Sequence, residues 1–188
     1  MSDKKCGIAQ LCELAMGPRV VTVIAGLPGS GRTTLLATMV RYAAKNGVRA
    51  VFCGGSEPRP FNGMSDDIAS RITVCSSLTG ANLADALLVA IDTRETEPEF
   101  FGKTVRAAKA PGVNAATIIA PSLTKAAYRS GAYDEFFPDH VADVFISLSR
   151  DENRTDAHVV ATVVKHRYEK PGQRFTFRFT PTGIEEAT

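Results

Sequence analysis

Gly26-Leu27-Pro28-Gly29-Ser30-Gly31-Arg32-Thr33-Thr34 is the stretch that decides how this chain folds. A continuous apolar, β-branched run, Val20–Ala25, leads into it, as a strand buried on both faces would. A helical pattern over residues 33–46 leads out, with Leu35, Leu36, Met39, Val40 and Ala43 at helical spacing and Asn46-Gly47 closing it. Between a strand and a helix, glycines let the backbone curl tightly and turn its N–H groups inward. The helix N-terminus adds partial positive charge for a phosphate. Gly26, Pro28, Gly29, Ser30, Gly31, Arg32, Thr33 and Thr34 are therefore candidate phosphate-binding residues, and the Thr33 hydroxyl is a candidate magnesium ligand. The plain alternative is an ordinary glycine-rich strand–helix turn, which the full spacing and context argue against.

One position departs from the usual pattern of such loops: Arg32 stands where a lysine is expected. Arginine keeps the charge but carries a larger, planar head, whereas lysine folds back as a compact point charge onto terminal phosphates. The substitution favours binding over hydrolysis, and a weak or inactive ATPase follows as one reading.

Outward from the loop, strands and helices alternate. Strands are expected at Arg49–Cys53, Ile72–Cys75, Leu87–Ile91, Ala115–Ala120, Val141–Leu148, His158–Arg167 and Arg174–Thr180, the last two as a possible hairpin. Residues 6–17 carry a weak helical pattern, residues 97–110 a clearer one stopped by Pro111-Gly112, and 121–139 form a long polar connection. This order predicts an α/β fold: a mostly parallel sheet flanked by helices, with an antiparallel C-terminal hairpin. The 188 residues suit one domain, with 1–18 as an N-terminal extension.

Composition excludes some classes. A net charge of +2 marks no strong field toward nucleic acid, although a local basic groove remains open. The apolar runs are too short to cross a bilayer, and none follows Lys4 and Lys5 as a signal peptide would, so a cytoplasmic location without membrane contact is expected. Cys6, Cys12, Cys53 and Cys75 lack tight zinc or redox spacing, and Cys53 and Cys75 read as small core residues. His140, His158 and His166 are scattered.

Two carboxylates extend the candidate site. Asp92 ends an apolar strand, where it can hold magnesium through water opposite the loop. Glu57 follows the second strand in Cys53-Gly-Gly-Ser-Glu57 and can polarise an attacking water, or can equally be a solvated loop carboxylate.

With these pieces in order, the chain resembles the RecA-like P-loop ATPases. The C-terminal half is similar to the DnaB-type helicase and RadA/KaiC-type branches. Asp139-His-Val-Ala-Asp-Val-Phe-Ile-Ser-Leu-Ser-Arg-Asp-Glu152 resembles their "ADxxxxLxRDE" strand and turn. Val163-Val-Lys-His-Arg167 followed by Pro171-Gly172 resembles their "KxR…P-G" hairpin. The resemblance spans roughly residues 20–184. It implies ATP and Mg2+ as ligands and a homo-oligomer, ring or filament, in which Lys165 and Arg167 reach a neighbour's nucleotide as finger residues. Their i, i+2 spacing puts both on one strand face. The family's phosphate-sensing position falls on Ser122, a departure that weakens coupling between nucleotide and substrate, and the extra N-terminal domain of replicative helicases is not expected here.

Single-stranded DNA in that family touches loops corresponding to residues 93–103 and 121–134. These carry Arg94, Lys103, Lys125 and Arg129 with Phe100, Phe101, Tyr128 and Tyr133 nearby, while Glu95, Glu97 and Glu99 argue against the first loop. The leading expectation is an ATP-binding and ATP-hydrolysing motor or recombination subunit, helicase-like, acting on single-stranded nucleic acid as an oligomer. Its alternative is a weakly hydrolysing or non-hydrolysing assembly or regulatory protein with a protein partner, favoured by Arg32 and Ser122.

Overall fold

The computed structural model describes residues 7–54, 61–78, 83, 85–93, 98–121, 142–150, 158–180 and 183–186. Among the described residues, four helices, α1 (Gly7–Ala15), α2 (Arg32–Lys45), α3 (Asp66–Ala69) and α4 (Pro98–Ala108), accompany nine strands. The strands are β1 (Val21–Gly26), β2 (Ala50–Cys53), β3 (Ile72–Cys75), β4 (Leu88–Thr93), β5 (Ala116–Pro121), β6 (Val144–Arg150), β7 (His158–His166), β8 (Arg174–Thr180) and β9 (Gly183–Glu186). All nine form one sheet in the order β3-β2-β4-β5-β1-β6-β7-β8-β9. The first six in that order are parallel and the last three add on antiparallel. The α/β architecture expected from the alternating pattern is the one observed.

Burial explains why these segments became strands. β1, β2 and β5 are buried along their whole length, the environment that selects unbroken apolar runs. β3, at the sheet edge, is partly exposed. Alternation divides the core between two faces. Ile24, Ala90, Ile118, Ile146 and Leu148 pack with Leu11 of α1 and Leu35, Leu36 and Met39 of α2. Val23, Val89, Ile91 and Ile119 pack on the other face with Phe101 and Val105 of α4.

The segment 7–15, expected as part of an extension, is a helix embedded in this core. Leu11 and Ala15 are fully buried, the Thr22 hydroxyl donates to the Ala15 carbonyl at 2.8 Å, and the Gly7 amide donates to Glu186 Oε2 at 3.0 Å. Two elements escaped the sequence reading: the short α3, and β9, whose Ile184 amide donates to Thr38 Oγ1 of α2 at 3.3 Å. β6 starts three residues later than expected and reaches Arg150. Among the described residues, no helix is long and apolar enough to cross a membrane.

Candidate nucleotide site

β1 is the central parallel strand, with β5 on one side and β6 on the other, so the loop after Gly26 emerges at the carboxyl edge of the sheet. In open α/β sheets this edge is where ligands bind. The loop is closely built. A side chain at Gly26 would collide with the Ser30 hydroxyl and stand 2.9 Å from the Leu148 carbonyl. Gly31 has φ +89, a left-handed conformation that opens α2, and a Cβ there would overlap the Phe179 ring. No side chain caps the first turn of α2, which leaves its N–H groups directed at the loop.

The metal candidates meet. Thr33 Oγ1 donates to Asp92 Oδ2 at 2.7 Å, joining the start of α2 to β4. Asp92 is the next-to-last residue of β4, in register with Ala120 of β5, one residue short of the strand end that the apolar run suggested for it. Arg32 sits beside this pair. Burial pulls its guanidinium below the usual arginine range, and the nearby Asp92 carboxylate opposes that shift.

Two residues at the loop were not singled out as site residues in the sequence. The Arg150 guanidinium, at the end of β6, donates to the Gly29 carbonyl from Nη2 at 2.9 Å and from Nε at 3.2 Å. Phe179, near the end of β8, covers Gly31. With Gly29, Arg32, Thr33 and Thr34 these residues line a cavity of about 380 Å³. Arg150 was visible only within the C-terminal motif. Phe179 had a faint signal in the alternation Phe175, Phe177, Phe179, where Phe177 enters the core.

The residues present fit a magnesium-bound phosphate. The Ser30 side chain is 3% exposed, and its Oγ has no hydrogen-bond partner among the described residues. A buried hydroxyl in that condition is unfavourable unless a ligand supplies the partner. Gly26 and Gly31 leave no room for side chains, and Thr33 with Asp92 offers the hard oxygen donors magnesium requires.

The other expected residues fall elsewhere. Lys165 and Arg167 stand on and just past β7, level with the start of β1 and far along the strands from Gly26. Arg167 Nη1 pairs with Asp143 Oδ1 at 2.7 Å. The Asp143 side chain is 2% exposed, pairs with Lys109 Nζ, just past α4, at 3.0 Å and accepts from the Val21 amide at 2.9 Å. Phe101 is a core residue of α4, and Lys103 pairs with Glu99 within that helix. Glu57, Arg94, Ser122, Lys125, Tyr128, Arg129 and Tyr133 lie outside the described residues.

This sheet order, with its loop at the end of the central strand and its antiparallel C-terminal strands, defines a RecA-like fold. The crystal structure of the RadB recombinase is similar, with a TM-score of 0.65 and 17% identity over 95% of this chain and 96% of that one. That likeness is one of fold. No protein-family model matches the chain, and no curated protein matches it.

Proposed function

We propose that the chain is an ATP-binding RecA-like protein of the DnaB/RadA/KaiC type, hydrolysing ATP slowly and acting on single-stranded nucleic acid as a homo-oligomer. The observation that carries this reading is the 2.7 Å contact between Thr33 and Asp92 at the mouth of a glycine loop with an unsatisfied Ser30 hydroxyl. Loop amides and the α2 N-terminus would bind phosphate oxygens, and Thr33 and Asp92 would be the residues that hold a magnesium ion. Bound magnesium supplies charge neutralisation on the phosphates. Arg32 contributes a fixed positive charge, and Arg150 holds the loop in shape through Gly29. Glu57 is the proposed base that orients water. Lys165 and Arg167 are too far along the sheet to serve their own loop, so the reading requires a neighbouring copy. For Arg167 it also requires exchange of Asp143 for that neighbour's phosphate.

A second reading has its own observation. Arg32 is desolvated beside Asp92. A planar guanidinium held there suits steady binding better than the motion of a terminal phosphate, which favours a nucleotide-held assembly or regulatory protein with little turnover.

Calorimetric titration with magnesium ATP and ADP tests the shared part. Thr33→Ala and Asp92→Asn should each weaken magnesium-dependent binding by at least about tenfold, the scale on which even outer-shell metal partners act. No binding by the intact protein at any magnesium concentration would sink both readings. Phosphate release with and without single-stranded DNA separates them, since the motor requires stimulation.

A further inference from the structure

β2 ends at Cys53 and β3 at Cys75, and the parallel register sets these two residues directly side by side. Registered neighbours send their side chains to the same face of the sheet. The Cys75 thiol is a direct electrostatic neighbour of the Cys53 thiol, and both cysteines are free. Neighbouring strands stand about 4.7–4.9 Å apart, inside the Cα separation of about 4.4–6.8 Å that a disulfide spans. A disulfide also needs its Cβ atoms about 3.5–4.5 Å apart, so closure draws the two strand ends slightly together. Access to the pair is unequal. Cys53 is 7% exposed, whereas Cys75 is half-buried on the edge strand.

The pair adjoins the candidate nucleotide site. The Gly54 amide donates to the Cys75 carbonyl at 3.1 Å, and a Cβ at Gly54 would stand 3.1 Å from Asp92 Cβ. The end of β2 is thus packed between the cysteine pair and a candidate metal ligand. Cys53, Gly54, Asp92, Arg32 and Thr33 line one cleft.

We propose that Cys53 and Cys75 form a redox modification site that closes reversibly to a disulfide, pinning β3 to β2 and shifting the Asp92–Thr33 corner. The effect on that corner rests on the nucleotide reading above; the disulfide itself does not. The oxidant is a hydroperoxide. The accessible Cys75 attacks one peroxide oxygen as thiolate, the O–O bond breaks, and hydroxide leaves and takes a proton as water, giving a sulfenic acid. Cys53 sulfur then attacks the Cys75 sulfur, the S–O bond breaks, and the departing oxygen leaves as a second water carrying the Cys53 proton. In sum, two thiols and hydrogen peroxide give one disulfide and two waters. Two equivalents of a small thiol reverse it by exchange and leave as their own disulfide.

The test treats the reduced full chain with one equivalent of hydrogen peroxide. Arg49, Arg71 and Arg94 are tryptic sites that place the two cysteines in different peptides. The expected product is a dithiothreitol-reversible cross-link between those peptides, with the mass lowered by two hydrogens. Hydrogen exchange over residues 50–54 and 72–75 should slow. Magnesium-nucleotide affinity should change by about 5–150-fold, the usual span of coupled sites. Cys75→Ser should keep the reduced protein's affinity and lose all three responses; Cys53→Ser serves if that variant does not fold. Cross-linking through Cys6 or Cys12, over-oxidation of Cys75 alone, or a Cys53–Cys75 link without slower exchange overturns the proposal. A reduced protein that binds no nucleotide overturns the nucleotide reading instead, and the linked peptide and exchange then still decide the disulfide.

Discussion

Asp143 offers the sharpest test of how this fold is held together. Its carboxylate is 2% exposed and receives Arg167 at 2.7 Å, Lys109 at 3.0 Å and the Val21 amide at 2.9 Å. Asp143→Ala therefore strands a buried amide and two cations gathered around a missing charge. Breaking a buried pair from one side costs about 3–5 kcal/mol. In a chain of this length that lowers Tm by on the order of 10 °C, at about 2–4 °C per kcal/mol. Arg167→Ala should cost less, near the lower end of the roughly 1.5–3 kcal/mol of a charged hydrogen bond. Arg167 is 40% exposed and so partly screened, and Lys109 still partners the carboxylate. Urea unfolding of the two single variants and the double variant closes a thermodynamic cycle, in which the coupling should exceed about 1 kcal/mol. An Asp143→Ala protein within about 1 kcal/mol of the parent, or strictly additive variants, would refute the reasoning. The same measurement matters for function, because lost turnover in Arg167→Ala means a missing finger only if folding is intact.

Three further outcomes are expected. Gly31→Ala should destabilise by more than the roughly 1 kcal/mol ordinary for a left-handed position, because the new methyl meets Phe179; Gly31→Ala with Phe179→Ala should recover part of the loss in thermal melts, and no recovery would show that the ring is not the obstacle. Burial and the neighbouring Cys75 push the Cys53 thiol up to about 11, from an ordinary 9.0. The folded state thus holds that proton more tightly, so stability is intact below pH 9 and falls by roughly 2–3 kcal/mol on passing to pH 11; denaturant unfolding of Cys53→Ala should lack that decline. Arg32→Lys should leave turnover equal or lower in a motor adapted to arginine, whereas a rise with unchanged nucleotide affinity, read by steady-state phosphate release, would favour the regulatory reading.

The elements that the sequence revealed are those in which local pattern and burial agree. Val20–Ala25 and Ala115–Ala120 are apolar because both faces of their strands are covered, and Thr33 and Asp92 were legible because a glycine loop and an apolar strand announced them. What escaped depends on distant partners. β9 is four residues long and has meaning only beside β8 and Thr38. Phe179 reads as one more aromatic of a strand until Gly31 is placed beneath it. Asp143 stood inside a recognised motif, yet its charge partners lie 34 residues before it, just past α4, and at Arg167 beyond β7. The adjacency of Cys53 and Cys75 follows from strand order, which no spacing rule for cysteines encodes.

The position of β1 at the centre of the sheet also governs how the protein comes into being. The strand that ends in the glycine loop is made early, but its flanking strands are made much later; Val21 is bonded to a residue 122 positions on, and Gly7 to one 179 positions on. Contacts so remote in sequence close slowly, because loop entropy is lost before they form. During synthesis the glycine loop therefore emerges long before anything can shape it, and ribosome-bound chains that stop short of β6 should not retain nucleotide.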